Sequence, residues 1–373
     1  MVSGTRREWP GAVELDVSVD GSPILALAYP ALTGSPRPGD RVLLNTTALD
    51  LDLGTGGYAL VVAVPDRLPP DPALAGHVVK GRYTPLQATV LGADEQGSPH
   101  HDVLRDADDL GGMPVVVADL HSAVPAVLAG VFAGPERALA GAPGSGHGSR
   151  EALPRVVYVM QDGGALPAWF SRTCAVLRQA GWLTAVITTG QSFGGDLETV
   201  TVHTGLLAAR HVLGADVAVV AQGPGNLGTG TRWGFSGVAA GEAVNAAAAL
   251  GGRPVACLRV SDADPRERHR GISHHSLTAY GRVALARADV VLPGLPGEFG
   301  RAIAAQAHSL RDRHAIVTVA VDGLEDELRK CPAPLATMGR GLDEDLAYFL
   351  AAAAAGRHAA RLLLLRSDSS SAG

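Results

Sequence analysis

Two periods of apolar spacing divide the chain. From Ala12 to about Leu91, apolar residues alternate with polar ones in short runs, as where Val13, Leu15, Val17 and Val19 interleave with Glu14, Asp16, Ser18 and Asp20. A period of two turns one face of a strand to a core and the other to water. Asp20-Gly21 signals a hairpin, Pro38-Gly39-Asp40 turns the chain into residues 41–44, and glycines at 54–57 precede an apolar run over 58–64. Residues 65–72 form a connector, and 77–91 resume the strand pattern, with His77, Lys80 and Arg82 read as charges along an exposed strand face. No helix of convincing length interrupts this part. It predicts a small β-barrel-like or sandwich domain over residues 10–100.

Beyond Met113 the period changes. Near-continuous apolar runs at 114–118, 155–160, 183–188, 217–221, 254–260, 289–292 and 315–320 alternate with segments of helical spacing. Helices are expected over 123–132, from Pro167 to Gly181, after Asp196 as N-cap to Gly214, up to Gly251, over 276–286 and 298–310, and finally over 342–365. Strands that are apolar throughout belong to parallel sheets covered on both faces. The expected architecture is therefore α/β: the small β domain, then a doubly wound, mostly parallel sheet domain over 101–366. A closed (β/α) barrel is the alternative, because about seven strand–helix units can be counted and eight close one. Residues 134–150, rich in Gly, Ser and Pro, read as a flexible linker, and 367–373 as a disordered tail.

Composition narrows the class. The 373 residues carry 31 Lys+Arg against 37 Asp+Glu, a net charge of −6, which provides no basic footprint for nucleic acid. Cys174, Cys257 and Cys331 lie far apart without metal or redox spacing and read as reduced thiols. The N-terminus has no apolar signal region, and no apolar run reaches membrane-spanning length. The expectation is a cytoplasmic protein with neither a membrane nor a nucleic-acid partner. A homo-oligomer stays open, since the Ala-rich last helix suits either a dimer contact or a core.

The two kinds of loop differ. Helix-to-strand connections such as Ala180-Gly181 are short and plain. Strand-to-helix connections hold nearly all the chemistry: residues 119–122, 161–164, 189–196, 222–237, 261–276 and 293–298. In a parallel α/β fold these emerge at the carboxyl ends of the strands, where ligands bind. Turn residues are needed at both ends of a sheet, so their one-sided excess points to a site.

Within loop 222–237, Gly223-Pro224-Gly225-Asn226-Leu227-Gly228 satisfies G-x-G-x-x-G. As a dinucleotide fingerprint it is weak, because the helix opens about a dozen residues later instead of within the motif. Pro224 also removes a donor. An anion cradle of Gln222, Gly223, Gly225, Asn226, Gly228, Thr229, Gly230 and Arg232 competes with a purely structural turn. His269, His274 and His275 share one loop with Arg270, and imidazoles there can ligate a metal or move protons. Their spacing is not H-E-x-x-H, so no metal set is assigned from it. A metal would need Asp119, His121 or Asp162 from other loops.

Asp119, His121 and Ser122 end one strand together, with Ser122 read as a helix cap and Asp119 or His121 as ligand-facing. Asp162 precedes Gly163-Gly164, where a substrate can approach the backbone. His203 falls with Val200 and Leu207 on one stripe and reads as a core histidine. Glu298, at a helix start, needs no role beyond the helix dipole.

The segments GGYALVVAV, ADLHSAVPAVLAG, QDGGALPAWFSR, QGPGNLGTGTRWGFSG and RHRGISHHSLTAYGRVAL resemble an uncharacterised, chiefly actinobacterial family of unknown function. The resemblance extends nearly to the final helix. It implies no activity and assigns no residues, so the functional expectations rest on the loops alone.

Three follow. The first is an enzyme acting on a phosphorylated or nucleotide-like small molecule, the glycine loop holding the anion and Asp162 with His274 or His275 moving protons. The second is a metal-dependent hydrolase using Asp119, His121 and the 269–275 histidines. The third is a non-catalytic module that senses a metabolite. The cofactor is left unassigned.

Overall fold

The computed structural model describes residues 1–71, 76–133 and 153–370, with side chains to residue 365. The linker expected at 134–150 lies outside the described residues, as do 72–75 and 371–373.

The N-terminal sheet contains β1 (Val2–Trp9), β2 (Ala12–Val19), β3 (Ser22–Ala28), β4 (Leu43–Asn45) and β5 (Ala59–Ala63), in the order β1-β2-β3-β5-β4. All pairs are antiparallel except β3 with β5. Among the described residues no pairing of β1 with β4 closes the sheet. Asp20 and Gly21 both take positive φ (48° and 82°), the conformation of the tight hairpin turn that their sequence signals. Alternation does not reveal β1. It is an edge strand, exposed at Thr5, Arg6, Arg7 and Glu8 and bulged at two points, so no apolar face marks it.

A short hairpin, β6 (Val78–Lys80) and β7 (Ala88–Val90), leads to the larger sheet. That sheet contains β8 (Pro114–Val117), β9 (Val156–Gln161), β10 (Ala185–Thr188), β11 (Leu197–Glu198), β12 (Val217–Gln222), β13 (Arg253–Cys257), and, beyond the two-residue strands β14 (Val260–Ser261) and β15 (Gly271–Ile272), β16 (Asp289–Pro293) and β17 (Ala315–Val319). Its eight strands run in the order β11-β10-β9-β12-β8-β13-β16-β17, every neighbour parallel. The sheet ends at β11 and β17, so the (β/α) barrel alternative is not the architecture. The central strands β8, β9 and β12 are buried almost end to end, which is why their sequences show no alternation.

Two apolar clusters cover the two faces. On one side lie α1 (Val124–Phe132), α2 (Arg172–Gln179) and much of the C-terminal helix; on the other lie α3 (Val202–Leu207), α4 (Ala239–Ala249), the segment following α5 (His274–Thr278), and α6 (Gly297–Ala307). The last helix, α7 (Leu346–Ser370), crosses α1 backbone to backbone. A Cβ at Gly130 would overlap the carbonyl oxygen of Ala353, and one at Gly356 that of Val127. Its residues Ala351–Ala355 are buried, so this helix is a core element. The tail expected from residue 367 begins inside it. Among the described residues, no helix is long and apolar enough to cross a membrane.

Some local expectations need correction. Asp196 does not cap a helix: it accepts the amide of Val186 at 2.8 Å and pairs with Arg178. The cap is Thr201, whose hydroxyl accepts from Thr204 N, and β11 occupies the gap. Starting the helix five residues later rotates its faces. Val200 and His203 are exposed, so His203 is no core histidine. The helix after Pro167 also starts late, at Arg172, with Ser171 as cap behind a single 3₁₀ turn. Ser122 does not cap α1; its hydroxyl meets Tyr348 OH at 2.7 Å and Thr337 Oγ1 at 3.2 Å.

Candidate functional site

Sheet order brings the site together. β12, β8 and β13 are adjacent, yet β8 feeds a helix on one face while β12 and β13 feed helices on the other. Such a reversal opens a crevice at the carboxyl ends of the strands. Asp119 follows β8, loop 223–237 follows β12, and the histidine loop follows β13.

The histidine loop is pinched at its base. β14 and β15 pair antiparallel, Val260 with Ile272 and Ser261 with Gly271, bringing the two ends of a nine-residue excursion (262–270) together. Ser273 then caps α5, its hydroxyl accepting from His275 N and lying 2.8 Å from His269 Nδ1. Residues 269, 274 and 275 thus meet, with ring centroids 4.4–4.9 Å apart. One nitrogen from each ring lies within 4.8 Å of the other two. Hydrogen bonding of His269 Nδ1 to Ser273 fixes that ring and leaves Nε2 for the cluster.

Two other loops complete the wall. Phe235, at the end of the glycine loop, stacks on His275 with centroids 3.7 Å apart and planes 1° from parallel. Asp119, 3% exposed, places Oδ2 3.8 Å from His275 Nδ1. Gln222 donates Nε2–H to the Asp119 carbonyl at 2.9 Å. The polar atoms here are not spent on one another: His274 Nε2, His275 Nδ1, Asp119 Oδ2 and Gln222 Oε1 are buried without a hydrogen-bond partner. Buried polar atoms are seldom left so; those of His274, His275 and Asp119 adjoin one another, while Gln222 Oε1 lies against Gly163.

Burial sets the protonation. It lowers His269 and His275 to about 3, assisted by the charge of Arg259, and lowers His274 as well. Near neutral pH the three rings are therefore uncharged, with lone pairs to offer. Burial raises Asp119, against the pull of Arg259. Arg259 is itself buried and tied into a network: Asp264 Oδ2 lies 3.4 Å from Arg259, 2.8 Å from Arg266 and 3.2 Å from Arg340, while Asp345 takes Arg340 at 2.9 Å and the Ser261 hydroxyl at 2.8 Å. This network anchors the histidine loop to the start of α7.

The other expected residues divide. His121 is fully engaged, Nε2 with Ser171 Oγ at 2.8 Å and Nδ1 with Tyr158 OH at 3.1 Å, and burial lowers it to about 4. Tyr158 OH donates onward to the Gln222 carbonyl at 2.8 Å. His121 is thus structural on its polar side, although it lines a cavity of about 250 Å³ with Ser122, Gln222, Gly223, Gly225 and Asn226. Asp162 builds a turn: Oδ1 accepts from Gly164 N and Ala165 N, and Oδ2 from Gln191 N. Gly163 packs against Gln222, where a Cβ would come within 2.5 Å of Oε1.

In the glycine loop the hydroxyls bond inward. Thr229 and Thr231 lie 3.2 Å apart, Gly234 N donates to Thr231 Oγ1, and Ser236 Oγ donates to Asn226 Oδ1 at 2.7 Å. Gly225 and Gly230 supply positive φ (126° and 79°) for the loop's bends, and Gly228 pairs with Phe235. Arg232 and Arg270 are exposed.

Sequence reasoning missed Phe235 and Ser273; the only signal for either is its place just before a helix. It also misread Lys80, which is fully buried. Lys80 Nζ donates to the carbonyls of Thr199 (2.9 Å) and Ser192 (3.0 Å) and lies 3.4 Å from Glu198. A larger cleft of about 1040 Å³ lies between the β1–β2 turn and α2, lined by Trp9, Trp169 and Arg172, and includes none of the histidines.

A family model described as a protein of unknown function (DUF3866) matches residues 25–356, which include every residue of this site. No curated protein and no solved structure matches the chain.

Proposed function

The chain belongs to this DUF3866 family of unknown function, and from that premise we propose that it is a metal-dependent hydrolase acting on a small molecule at the carboxyl ends of its parallel strands. The ion would be held by His269, His274, His275 and Asp119. The observation that carries this reading is the convergence of three neutral imidazoles within 4.8 Å, together with a buried carboxylate oxygen 3.8 Å from His275 and no protein partner for the facing atoms.

Three histidines and a carboxylate are a donor set that suits zinc or a neighbouring divalent metal. Bonds of about 2.0–2.1 Å in a tetrahedron place ligand atoms roughly 3.3 Å apart, so modest side-chain rotation closes the cluster onto an ion. Phe235 stacks on His275 and Ser273 lies 2.8 Å from His269 Nδ1, so two of the rings are held in place, and Gln222 holds the Asp119 backbone. A divalent ion supplies Lewis acidity and allows a water to lose its proton near neutral pH. The metal-dependent expectation therefore carries forward with His121 removed from the ligand set. Proton transfer by Asp162 gains no support, because its carboxylate is occupied by three backbone amides.

The test is metal content. The full chain, stripped with chelator and reloaded with Zn²⁺, Mn²⁺ or Co²⁺, should retain one ion per chain. His274→Ala and Asp119→Ala should each weaken retention at least about tenfold while thermal melts confirm folding. A folded wild-type chain that retains no divalent metal, or variants that retain it equally well, would sink the reading. Metal retained without turnover on ester, amide and phosphate panels would leave a metal-binding sensor.

A further inference from the structure

The seam between the N-terminal sheet and the larger one is built from aromatic residues. These make up only 4% of the chain, yet two of its four tryptophans, Trp9 and Trp169, line the cleft of about 1040 Å³ between the β1–β2 turn and α2. Trp169 lies in the 3₁₀ turn before α2, its ring centroid 6.0 Å from that of Tyr29 and 5.5 Å from that of Phe193. Gly11 and Gly194 come so close to this ring that a Cβ on either would overlap it, so the indole is a fixed wall. Trp9 donates its indole N–H to the Trp169 carbonyl at 2.7 Å. The one polar atom of that side chain is thereby committed, and the half-buried ring offers a ligand apolar surface alone.

Charge stands beside that surface. The Arg172 guanidinium lies 5.8 Å from the centre of the Trp9 ring. Arg7 and Arg178 line the cleft with it, against the carboxylates of Glu8 and Asp196, leaving one positive charge in excess. Arg178 pairs with Asp196, whereas Arg7 and Arg172 form no ion pair among the described residues. We propose that this cleft binds a small aromatic carboxylate, its ring on the Trp9 indole and its carboxylate on the Arg172 guanidinium. Small-molecule sites favour the seams between domains and hold about 300–1,000 Å³, so this cleft admits a ring system with its substituents. A flat ring gains from stacking on an indole, and a guanidinium takes a carboxylate through two parallel N–H···O bonds. The single charge in excess matches a monoanion and repels a cation. His269, His274 and His275 do not line the cleft, so this site stands apart from the metal reading.

Calorimetric titration of the full chain with indole-3-acetate, indole and tryptamine tests the proposal, because the three share one ring system but are anionic, neutral and cationic. Indole-3-acetate should bind at least about tenfold more tightly than indole, and tryptamine should bind most weakly. Arg172→Gln should abolish the preference for the acid and leave the affinity for indole unchanged. Trp9→Leu should weaken both, with thermal melts confirming folding; if that variant does not fold, Arg172→Gln decides alone. No binding of indole-3-acetate up to its solubility limit, an affinity no greater than that of tryptamine, or a preference untouched by Arg172→Gln overturns the proposal. None of these results bears on metal retention, and a chain that retains no metal leaves this site standing.

Discussion

His275 lies face to face with Phe235, their ring planes parallel to within 1° at a centroid separation of 3.7 Å. The phenylalanine follows β12 and the histidine follows β13, so the stack bridges the strand between them, β8, whose own loop carries Asp119. An imidazole clamped this way cannot turn away from the cluster at low cost. Phe235→Leu keeps an apolar side chain in the site but removes the flat surface. Metal affinity should fall about tenfold or more, measured against a competing chelator, with a smaller change in melting temperature. Unchanged affinity would show that Phe235 only fills space.

The crossing of α1 and α7 allows a separate test of the fold. Gly130 and Gly356 face each other's helix backbones at Ala353 and Val127, with no room for a methyl group. Gly130→Ala should cost at least about 1–3 kcal/mol in urea unfolding, because rigid backbone has to shift. Gly54→Ala, where nothing lies within 4 Å of the added carbon, should stay within about 0.5 kcal/mol of wild type. Equal effects would refute the close crossing.

Lys80 fastens the β6–β7 hairpin to the edge of the large sheet. Its ammonium reaches two carbonyls and Glu198, and Glu198 also accepts from Thr188 Oγ1 and Gly194 N at 2.6 Å each. Lys80→Met strands a buried carboxylate and should cost about 3–5 kcal/mol. Adding Glu198→Gln should recover part of that loss in chemical denaturation, because the uncompensated charge is gone. A double variant weaker than the single would argue against the pairing.

His314 makes stability depend on pH. Its Nδ1 accepts from Ala288 N at 3.2 Å and its Nε2 lies 2.8 Å from the Tyr280 carbonyl, an arrangement that requires the neutral ring. Burial lowers its pKa from the ordinary 6.5, against the pull of the Tyr280 carbonyl. The unfolded chain therefore binds the proton first, and the contribution is complete above pH 6.5 and lost as pH falls toward the lower folded value. Melting temperatures from pH 7.5 down to 5 should fall less steeply in His314→Gln than in wild type. Parallel curves would remove His314 as a source.

Local pattern reached far in the large domain. The apolar runs that became β9, β12, β13, β16 and β17 were legible because strands buried on both faces need no polar partner. The strand-to-helix loops likewise carry Asp119, His274 and His275, which the structure brings together. The pattern failed where a residue's meaning depended on an element outside its own segment. Lys80 read as a solvated charge because the carbonyls that bury it are more than a hundred positions away. His203 read as core because β11, only two residues long, delayed the helix and turned its face. His121 and Asp119 were equivalent on paper; Ser171 and Tyr158 engage the first and leave the second free.

The amino-acid order determined which segments are strands and helices, and which rim of the sheet carries the polar, titratable loops, because hydrophobic period and turn chemistry act over a few residues. Only the tertiary structure decided that β12, β8 and β13 stand side by side, and hence that Phe235, Asp119 and the three histidines share one crevice. Strand neighbours are chosen by crossovers between distant segments whose burial is a property of the whole sheet, and a local pattern contains no record of that choice.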